Sequence, residues 1–299
     1  MSAHAVSCGR IFLSACCVFG VVAGGIAQEK PVSLAWKFNR GESQKVEMLQ
    51  NVDVQMSIAG QNVNSTTSNK SWMTWDVSDV TKEGHATIAT TIDRMTLDIG
   101  GAVEIHFDSD DKEKQEAQAE AIAKMIRPLI GVEMRQKMLT TGKITEVTIP
   151  DSIKEAMDSM GTGGSQMLES VSRNATLEFP EKALRAGDSW SNTFETKSAV
   201  GLVTVDTTYT YKGLVNVEDK PLHLFDVDLQ MKFADGENPS GAKIEIVKQS
   251  TDGKMYFDAA AGRIDHSSVK QNVEMNISAG GQNIQQTMRQ TIEMRFTEA

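Results

Sequence analysis

The sequence predicts an α+β protein dominated by β-structure, with long antiparallel strands in one or two strongly curved sheets or in an incomplete barrel. Long stretches alternate apolar and polar residues with a period of two, which is typical of strands with one buried face. Turn signals rich in glycine separate several of these stretches. A central segment repeats apolar residues at helical spacing instead, which predicts helices around 110–130 and 151–173, packed on a dry face of the sheet.

Residues 1–27 are predicted to be a secretory signal peptide. One basic side chain, Arg10, precedes a run of apolar and small residues that contains no acid. Gly25 and Ala27 then supply the small residues that a signal-peptide cleavage site requires. We therefore expect 28–299 to be a single exported β-rich domain, in the periplasm or outside a bacterial cell.

All three cysteines of the chain fall inside the predicted signal peptide. The exported chain would then contain no disulfide, and its stability would have to come from its core. The tetrapeptide 13–16 resembles a lipobox, which makes a lipid anchor on Cys16 the alternative. Cleavage near Ala27 is favoured because the apolar run continues beyond Cys16.

The first predicted strands form a hairpin with one dry face. The run 44–58 alternates throughout, with these apolar residues at even positions: Val46, Met48, Val52, Val54, Met56 and Ile58. The glycine turn at 59–61 closes the hairpin. In 84–99 the apolar set moves from even to odd positions, which predicts a β-bulge near Asp93.

The second half of the chain repeats this alternation in four further stretches. They cover 203–211, 225–233, 269–277 and 284–296. Because each has one apolar and one polar face, antiparallel pairing is predicted. A turn is expected at 279–281, and the dipeptide Asp252-Gly253 predicts another turn before a short strand at 254–258.

The middle of the chain changes to a helical period. Apolar residues recur at helical spacing over 122–130, and Gly131 ends this first helix. A second helix is predicted from Ser152, with an apolar stripe that includes Met157, and a shorter helix follows at 166–173. Together these helices would connect the two β-rich parts of the chain.

The segment between the predicted helices has a different pattern. Residues 132–139 alternate again with a period of two, and a Thr-Gly turn separates them from 143–149. This pattern favours a hairpin, with a continued helix over 132–139 as the alternative.

The chain also resembles itself. The hexapeptide 38–43 is similar to 184–189, and each precedes a predicted strand. These short repeats raise the hypothesis of two related halves, 28–149 and 175–299, joined by the helical segment.

The overall charge and the polar side chains exclude several kinds of site. A net charge of −10 gives no electrostatic reason to bind nucleic acid or an anionic membrane. After the signal peptide, no apolar run is long enough to span a membrane.

The histidines have no zinc-binding spacing, and no nucleophile elbow or phosphate loop occurs. The sequence therefore predicts neither an enzyme nor a metal or other cofactor. The acidic cluster 108–111 is read as a helix start rather than a calcium loop.

Methionine is the most informative residue type. Six of the 16 methionines lie between 125 and 167, and methionine adapts well to varied apolar partners. Six residues of the predicted helices are therefore the candidate lining of an apolar pocket: Ile122, Met125, Ile126, Met157, Met160 and Met167. The predicted function is non-catalytic binding of a lipid or a lipoprotein acyl chain, and the alternative is a structural or protein-interaction module without a ligand.

Several short motifs carry a resemblance to a known group of proteins. They are found at 34–42, 105–109, 129–131, 142–147, 179–180 and 187–190. On these motifs the chain resembles a family of uncharacterised exported bacterial proteins of planctomycete type. The resemblance implies an exported protein of unknown function, without catalytic residues to carry over. At the level of the fold alone, the outline is similar to periplasmic lipoprotein and lipid carriers.

Overall fold

The computed structural model describes residues 30–58, 60–111, 117–159, 164–174, 176–198, 201–234 and 241–298. The predicted signal peptide and Met160 lie outside these residues. Residues 31–299 form one compact unit.

The described residues contain twelve strands and three α-helices. The strands are β1 (Ser43–Ile58), β2 (Gln61–Val80), β3 (Ala86–Gly100), β4 (Ile105–Asp108), β5 (Glu133–Met138), β6 (Ile144–Thr148), β7 (Ser189–Ser198), β8 (Gly201–Val217), β9 (Lys220–Phe233), β10 (Lys243–Asp258), β11 (Arg263–Ala279) and β12 (Gln282–Glu298). The helices are α1 (Ala117–Ile126), α2 (Asp151–Ser159) and α3 (Gly164–Asn174), and a 3₁₀ turn covers Arg127–Leu129. The predicted β-dominated α+β class is confirmed, and the segment around 132–139 is a strand.

The strands form one antiparallel sheet in the order β6-β5-β3-β2-β1-β12-β11-β10-β9-β8-β7. The first and last strands of the long hairpins, β1 and β12, are paired at its centre. β4 pairs with the half of β3 that β5 leaves free. Since β6 and β7 do not pair with each other, the sheet is not closed into a barrel.

The period-two patterns correspond to the two faces of this sheet. The ladder of β1 and β12 aligns Val46 with Phe296 and Ile58 with Ile284, so the apolar sets of both strands lie on one face. The bulge predicted near Asp93 is confirmed, because Trp72 pairs with Arg94 while the adjacent Met73 pairs with Ile92.

One predicted turn is wrong. Asp252-Gly253 does not end a strand, and β10 runs through it without interruption. A side chain at Gly253 would overlap the carbonyl oxygen of Val227 on β9. Glycine is therefore present for close approach of two strands rather than for a turn.

The helices pack at the edges of the sheet. α1 contacts β4, α2 contacts the 3₁₀ turn and α3, and α3 contacts both edge strands. Arg173 of α3 donates to the carbonyl of Thr145 on β6 (2.9 Å), and Ser170 donates to that of Glu195 on β7 (3.1 Å). α3 thus bridges the gap that the open sheet leaves between its edge strands.

The hydrophobic core lies at one end of the long strands, called here the core end. Trp36, Phe179 and Phe257 meet there, with Phe257 in edge-to-face contact with both other rings. The indole N–H of Trp36 donates to the carbonyl of Leu177 (2.9 Å). The extended segments before β1 and before β7 therefore close this end of the sheet. The opposite end, where β1 and β12 reach Ile58 and Ile284, is called the distal end.

Candidate ligand-binding face

Beyond Glu298 at the end of β12, the central strands direct no charged side chain to the face that carries the core. This face, called here the neutral face, contains Val46, Met48, Gln50, Val52, Val54, Met56 and Ile58 of β1, Gln61, Val63, Ser65, Thr67, Asn69, Ser71, Met73 and Trp75 of β2, Ser267, Val269, Gln271, Val273, Met275 and Ile277 of β11, and Ile284, Gln286, Met288, Gln290, Ile292, Met294 and Phe296 of β12. The opposite face carries the charges of these strands, including Lys45, Asp53 and Arg289. Strict alternation over long strands produces this separation.

The core end of the neutral face is filled by large side chains. Val46 and Phe296 are buried cross-strand neighbours. The Trp75 ring meets Phe296 edge to face with 5.3 Å between ring centroids. These side chains pack against one another and fill the core end of the face.

The distal end of the neutral face is also apolar. An apolar strip continues across four strands through Val54, Met56, Ile58, Met288, Ile284, Val273, Met275, Ile277, Ile246 and Ile244. Val273 and Met275 are buried, whereas Met56 and Met288 are half-buried. The strip lies beyond the residues of the main core cluster. Each described helix has its main contacts with β4, β6, β7 or a helical neighbour, and the strip lies on none of these strands.

A band of amide and hydroxyl groups separates the core from the strip. This amide belt consists of Gln50, Asn69, Ser71, Gln271 and Gln290. Gln50 is paired with Asn69 across β1 and β2, and Gln271 with Gln290 across β11 and β12. The belt is therefore a product of strand register, formed by residues far apart in the chain.

Three atoms of the amide belt have no hydrogen-bond partner. They are Oδ1 of Asn69, Oγ of Ser71 and Nε2 of Gln271, and each of these atoms is buried. Ser71 is 1 % exposed and Gln271 is 8 % exposed. A buried polar group without a partner costs about 1–3 kcal/mol, so unsatisfied groups of this kind are uncommon. Four further buried atoms without a partner lie outside the belt, on Asp53, Thr90, Thr196 and Asn272.

The sheet is weakened on one side of the apolar strip. The backbone ladder between β9 and β10 extends from Phe257 only to Gly253, which pairs with Val227. Beyond it, Thr251 Oγ1 accepts from the Leu229 amide (3.2 Å) and Gln249 Oε1 accepts from the Met231 amide (2.8 Å). Side chains thus replace backbone partners along this seam.

The residues predicted to line a pocket lie on the three helices. On α1, Ile122 and Ile126 are half-buried and Met125 is 38 % exposed. Met157 of α2 is half-buried, and Met167 of α3 is 44 % exposed. α2 and α3 contact each other, whereas the 3₁₀ turn is in contact with both α1 and α2. The helix pocket stays a prediction, and its residues are separate from the apolar strip.

A large open cavity lies against the charged face, with a volume of about 870 Å³. Its wall includes His106 of β4, whose Nδ1 lies 2.5 Å from Asp98 Oδ1. The hydrogen bond to this carboxylate raises the pKa of His106 above its usual value. Asp53 and Arg289 also line the cavity, and Arg289 Nη1 lies 3.5 Å from Asp53 Oδ1. Sequence reasoning did not find this cavity, because its residues come together only through strand pairing.

The other polar candidates have structural partners. Asp108 lies in β4 and pairs with Arg94. The segment between the acidic cluster and Ala117 of α1 lies outside the described residues, so the helix start predicted at 108–111 stays a prediction. His223 hydrogen-bonds with Tyr211 (2.7 Å), and His266 pairs with Asp265 (2.7 Å). Within the described residues, no group of three or more metal-ligating side chains converges. No helix in this part of the chain is long and apolar enough to cross a membrane.

Comparisons with known proteins give a family but no activity. The model of a family of unknown function, DUF6263, matches residues 83–262, more than half of the chain. A search of curated proteins finds no significant match. Among solved structures, lipovitellin is similar at 12 % identity and a TM-score of 0.45, over 88 % of this chain and 26 % of that chain. The chain thus spans about a quarter of that protein.

Two further solved structures are similar over most of their length. An outer membrane channel from Pseudomonas putida F1 is 9 % identical with a TM-score of 0.24, covering 92 % of this chain and 100 % of that chain. DynF from the dynemicin biosynthesis pathway of Micromonospora chersina is 9 % identical with a TM-score of 0.20, covering 95 % and 92 %. At these TM-scores, neither they nor lipovitellin provides an argument about function.

Proposed function

The chain belongs to DUF6263, a family of unknown function, and we propose that this member is an exported, non-catalytic binding protein for an apolar or amphiphilic ligand. The ligand lies on the neutral face at the distal end of the sheet. The apolar strip carries this proposal, because it continues the dry face beyond the packed core.

The physical argument starts from the strip side chains that remain partly in water, among them Met56, Ile58 and Met288. Burial of apolar surface contributes about 25 cal/mol per Å². Met56, Met275 and Met288 give the strip flexible, polarisable side chains at three cross-strand positions. A surface of this kind adapts to chains of varied shape. An acyl chain therefore suits the strip better than a rigid polar ligand.

Binding of N-phenyl-1-naphthylamine, a neutral apolar fluorophore, tests the proposal. The expected result is saturable binding that does not weaken with added salt, since apolar burial drives it. Met56→Lys should weaken binding at least tenfold, because it places a charge in the strip. Gln55→Lys is the matched control, since Gln55 is the exposed neighbour on the opposite face and should bind as the wild type does.

The same titration separates the two candidate sites. If Met125→Lys and Met157→Lys abolish fluorophore binding while Met56→Lys does not, the ligand lies under the helices as the sequence predicts. Absence of binding by the folded wild-type protein would contradict the carrier function and favour a module without a ligand.

N-terminal sequencing of the exported protein tests the predicted signal peptide. We expect the mature chain to start near Gln28, and a chain that starts at a lipid-modified Cys16 would contradict this.

A further inference from the structure

We propose that the distal end of the sheet carries a further binding site, for an uncharged oligosaccharide, on the face opposite the neutral face. The site is an open cavity of about 550 Å³, lined mainly by amide and hydroxyl side chains of the four central strands. Because it lies on the other side of the sheet from the apolar strip, this inference does not depend on the proposed function.

Strand register assembles the wall of this cavity in two rows across β2, β1, β12 and β11. Eight residues form the rows and line the cavity, and they are called here the distal polar patch: Asn64, Gln55, Thr287 and Glu274 in the row nearer the core, and Asn62, Ser57, Gln285 and Asn276 in the next row. The rows are about 7 Å apart along the strands, and the four strands span about 14 Å. The patch is therefore long enough for several sugar rings.

The distal polar patch belongs to a part of the chain that carries almost no charge. No charged residue occurs between Asp53 and Lys70, or between Glu274 and Arg289, although 23 % of the chain is charged. Charges return at the borders of the patch, where Asp53 pairs with Arg289 in the next row and β10 places Lys248 opposite Glu274. Within the patch, only Glu274 is charged.

The amide side chains of the patch suit a ligand that is rich in hydroxyl groups. These side chains are exposed to solvent: Gln55, Asn62, Asn64, Asn276 and Gln285. Each amide offers a carbonyl acceptor and an NH₂ donor. A sugar hydroxyl both donates and accepts, so neighbouring amides can pair with neighbouring hydroxyls of one ring. The cavity wall contains no lysine or arginine, and Glu274 would repel an anion, so an uncharged sugar is favoured over an acidic one.

The position of the patch on a sheet face disfavours a protein partner. β1 and β12 are paired with strands on both sides, so a peptide would find no free backbone groups there. Val247, at a bulge in β10, is 59 % exposed and is the only exposed apolar side chain in the wall of this cavity. Protein interfaces bury a larger apolar centre. A single aliphatic group is sufficient to contact the C–H face of one sugar ring.

Isothermal titration calorimetry at pH 7 with cellohexaose, chitohexaose and ionised hexagalacturonate tests this inference. At least one of the two uncharged sugars should bind saturably and without salt dependence, and hexagalacturonate should bind at least tenfold more weakly. Asn62→Ala and Gln285→Ala should each weaken binding about fivefold or more, because each removes hydrogen bonds to the sugar. Gln61→Ala is the matched control, since Gln61 is the exposed amide next to Asn62 but points to the neutral face.

Three results would overturn the inference. They are the absence of binding of both uncharged sugars to the folded wild-type protein, equally tight binding of hexagalacturonate, and an unchanged affinity in both patch variants. Sedimentation velocity tests a second copy of the chain as the occupant. A wild-type dimer that Gln285→Ala dissociates would make the patch an interface between copies and would also contradict the sugar site. Binding of N-phenyl-1-naphthylamine should persist in Gln285→Ala, which keeps the two sites distinguishable.

Discussion

At the scale of single residues, Gly142 connects distant parts of the chain at the core end. It has a φ of +94°, and its carbonyl accepts from Thr176 Oγ1 (2.7 Å). A Cβ at this position would overlap the carbonyl oxygen of Leu177 and approach the Trp36 indole nitrogen. The sequence indicates only a Thr-Gly turn here, because the close approach depends on segments 34 and more residues away.

Gly142→Ala should therefore destabilise the protein by more than backbone strain alone. A positive φ costs a residue with a side chain about 1 kcal/mol, and overlap with Leu177 adds to this by disturbing the Trp36 hydrogen bond. Gly187→Ala is the control, since Gly187 has a φ of +95° and no atom near its Cβ position. Thermal unfolding of both variants measures the difference, and equal losses of stability would contradict the close packing.

A second residue-scale prediction concerns Asp108. Its hydrogen bonds with Arg94 lower the pKa of this carboxyl below its usual value of 3.8, against the opposing effect of partial burial. A carboxylate with a lowered pKa stabilises the fold above its unfolded-state pKa, and this contribution is lost as pH falls through the folded-state pKa. Asp108→Asn should therefore lower the urea midpoint at pH 7, and the difference from wild type should shrink below about pH 4. A constant difference between pH 7 and pH 3 would contradict the ion pair.

At the scale of elements, the alternation of apolar and polar residues predicted which side chains share a face of a strand. It did not predict which strands pair with each other. The bulge at Asp93 was predictable because it changes parity within one strand. The pairing of β4 with half of β3, and the position of α3 across both edges, depend on long-range packing that no local pattern contains. The predicted turn at Gly253 failed for the same reason, since its glycine is required by β9.

The similarity between 38–43 and 184–189 has a structural counterpart. The Gly41 amide donates to the carbonyl of Val77, and the Val77 amide donates to the carbonyl of Glu42. Gly187 and Tyr211 form the same pair of bonds, with Asp188 as the acceptor. Both motifs therefore begin a strand with the same turn. The duplication of the two halves stays a hypothesis.

The inward assignment of the central hairpins predicts different effects for neighbouring residues of β12. Phe296 is buried against Trp75, so Phe296→Ala should cost about 3–5 kcal/mol of unfolding free energy. Arg295 is exposed on the opposite face, and Arg295→Ala should cost less than about 0.5 kcal/mol. Chemical denaturation measures both. A Phe296→Ala variant as stable as Arg295→Ala would show that the face is wrongly assigned.

The seam between β9 and β10 predicts a local effect on hydrogen exchange. Gln249→Ala removes the acceptor of the Met231 amide, so this amide should exchange at least tenfold faster. The Leu229 amide, held by Thr251, is the internal control and should change much less. Amide-resolved exchange by NMR distinguishes the two positions. Unchanged protection of Met231 would mean that backbone pairing, not the side chain, holds the seam.

At the scale of the whole molecule, the sheet is divided along its strands into a packed core, an amide belt and an apolar strip. The sequence predicted an apolar ligand from methionine content and placed it under the helices. The belt could not be predicted, because Gln50, Asn69, Gln271 and Gln290 become neighbours only through the registers of three strand pairs. Likewise, whether a polar side chain is buried without a partner depends on all the groups around it.

The central claim is that a ligand lies on the apolar strip, and methionine methyl NMR tests it most directly. With methyl-labelled methionine, addition of 1-decanoylglycerol should shift the signals of Met56, Met275 and Met288, which lie on the strip. Met125 of α1 and Met167 of α3 are the controls and should stay unshifted. Strip methionines that do not respond to saturating ligand, or shifts confined to the helix methionines, would contradict the account.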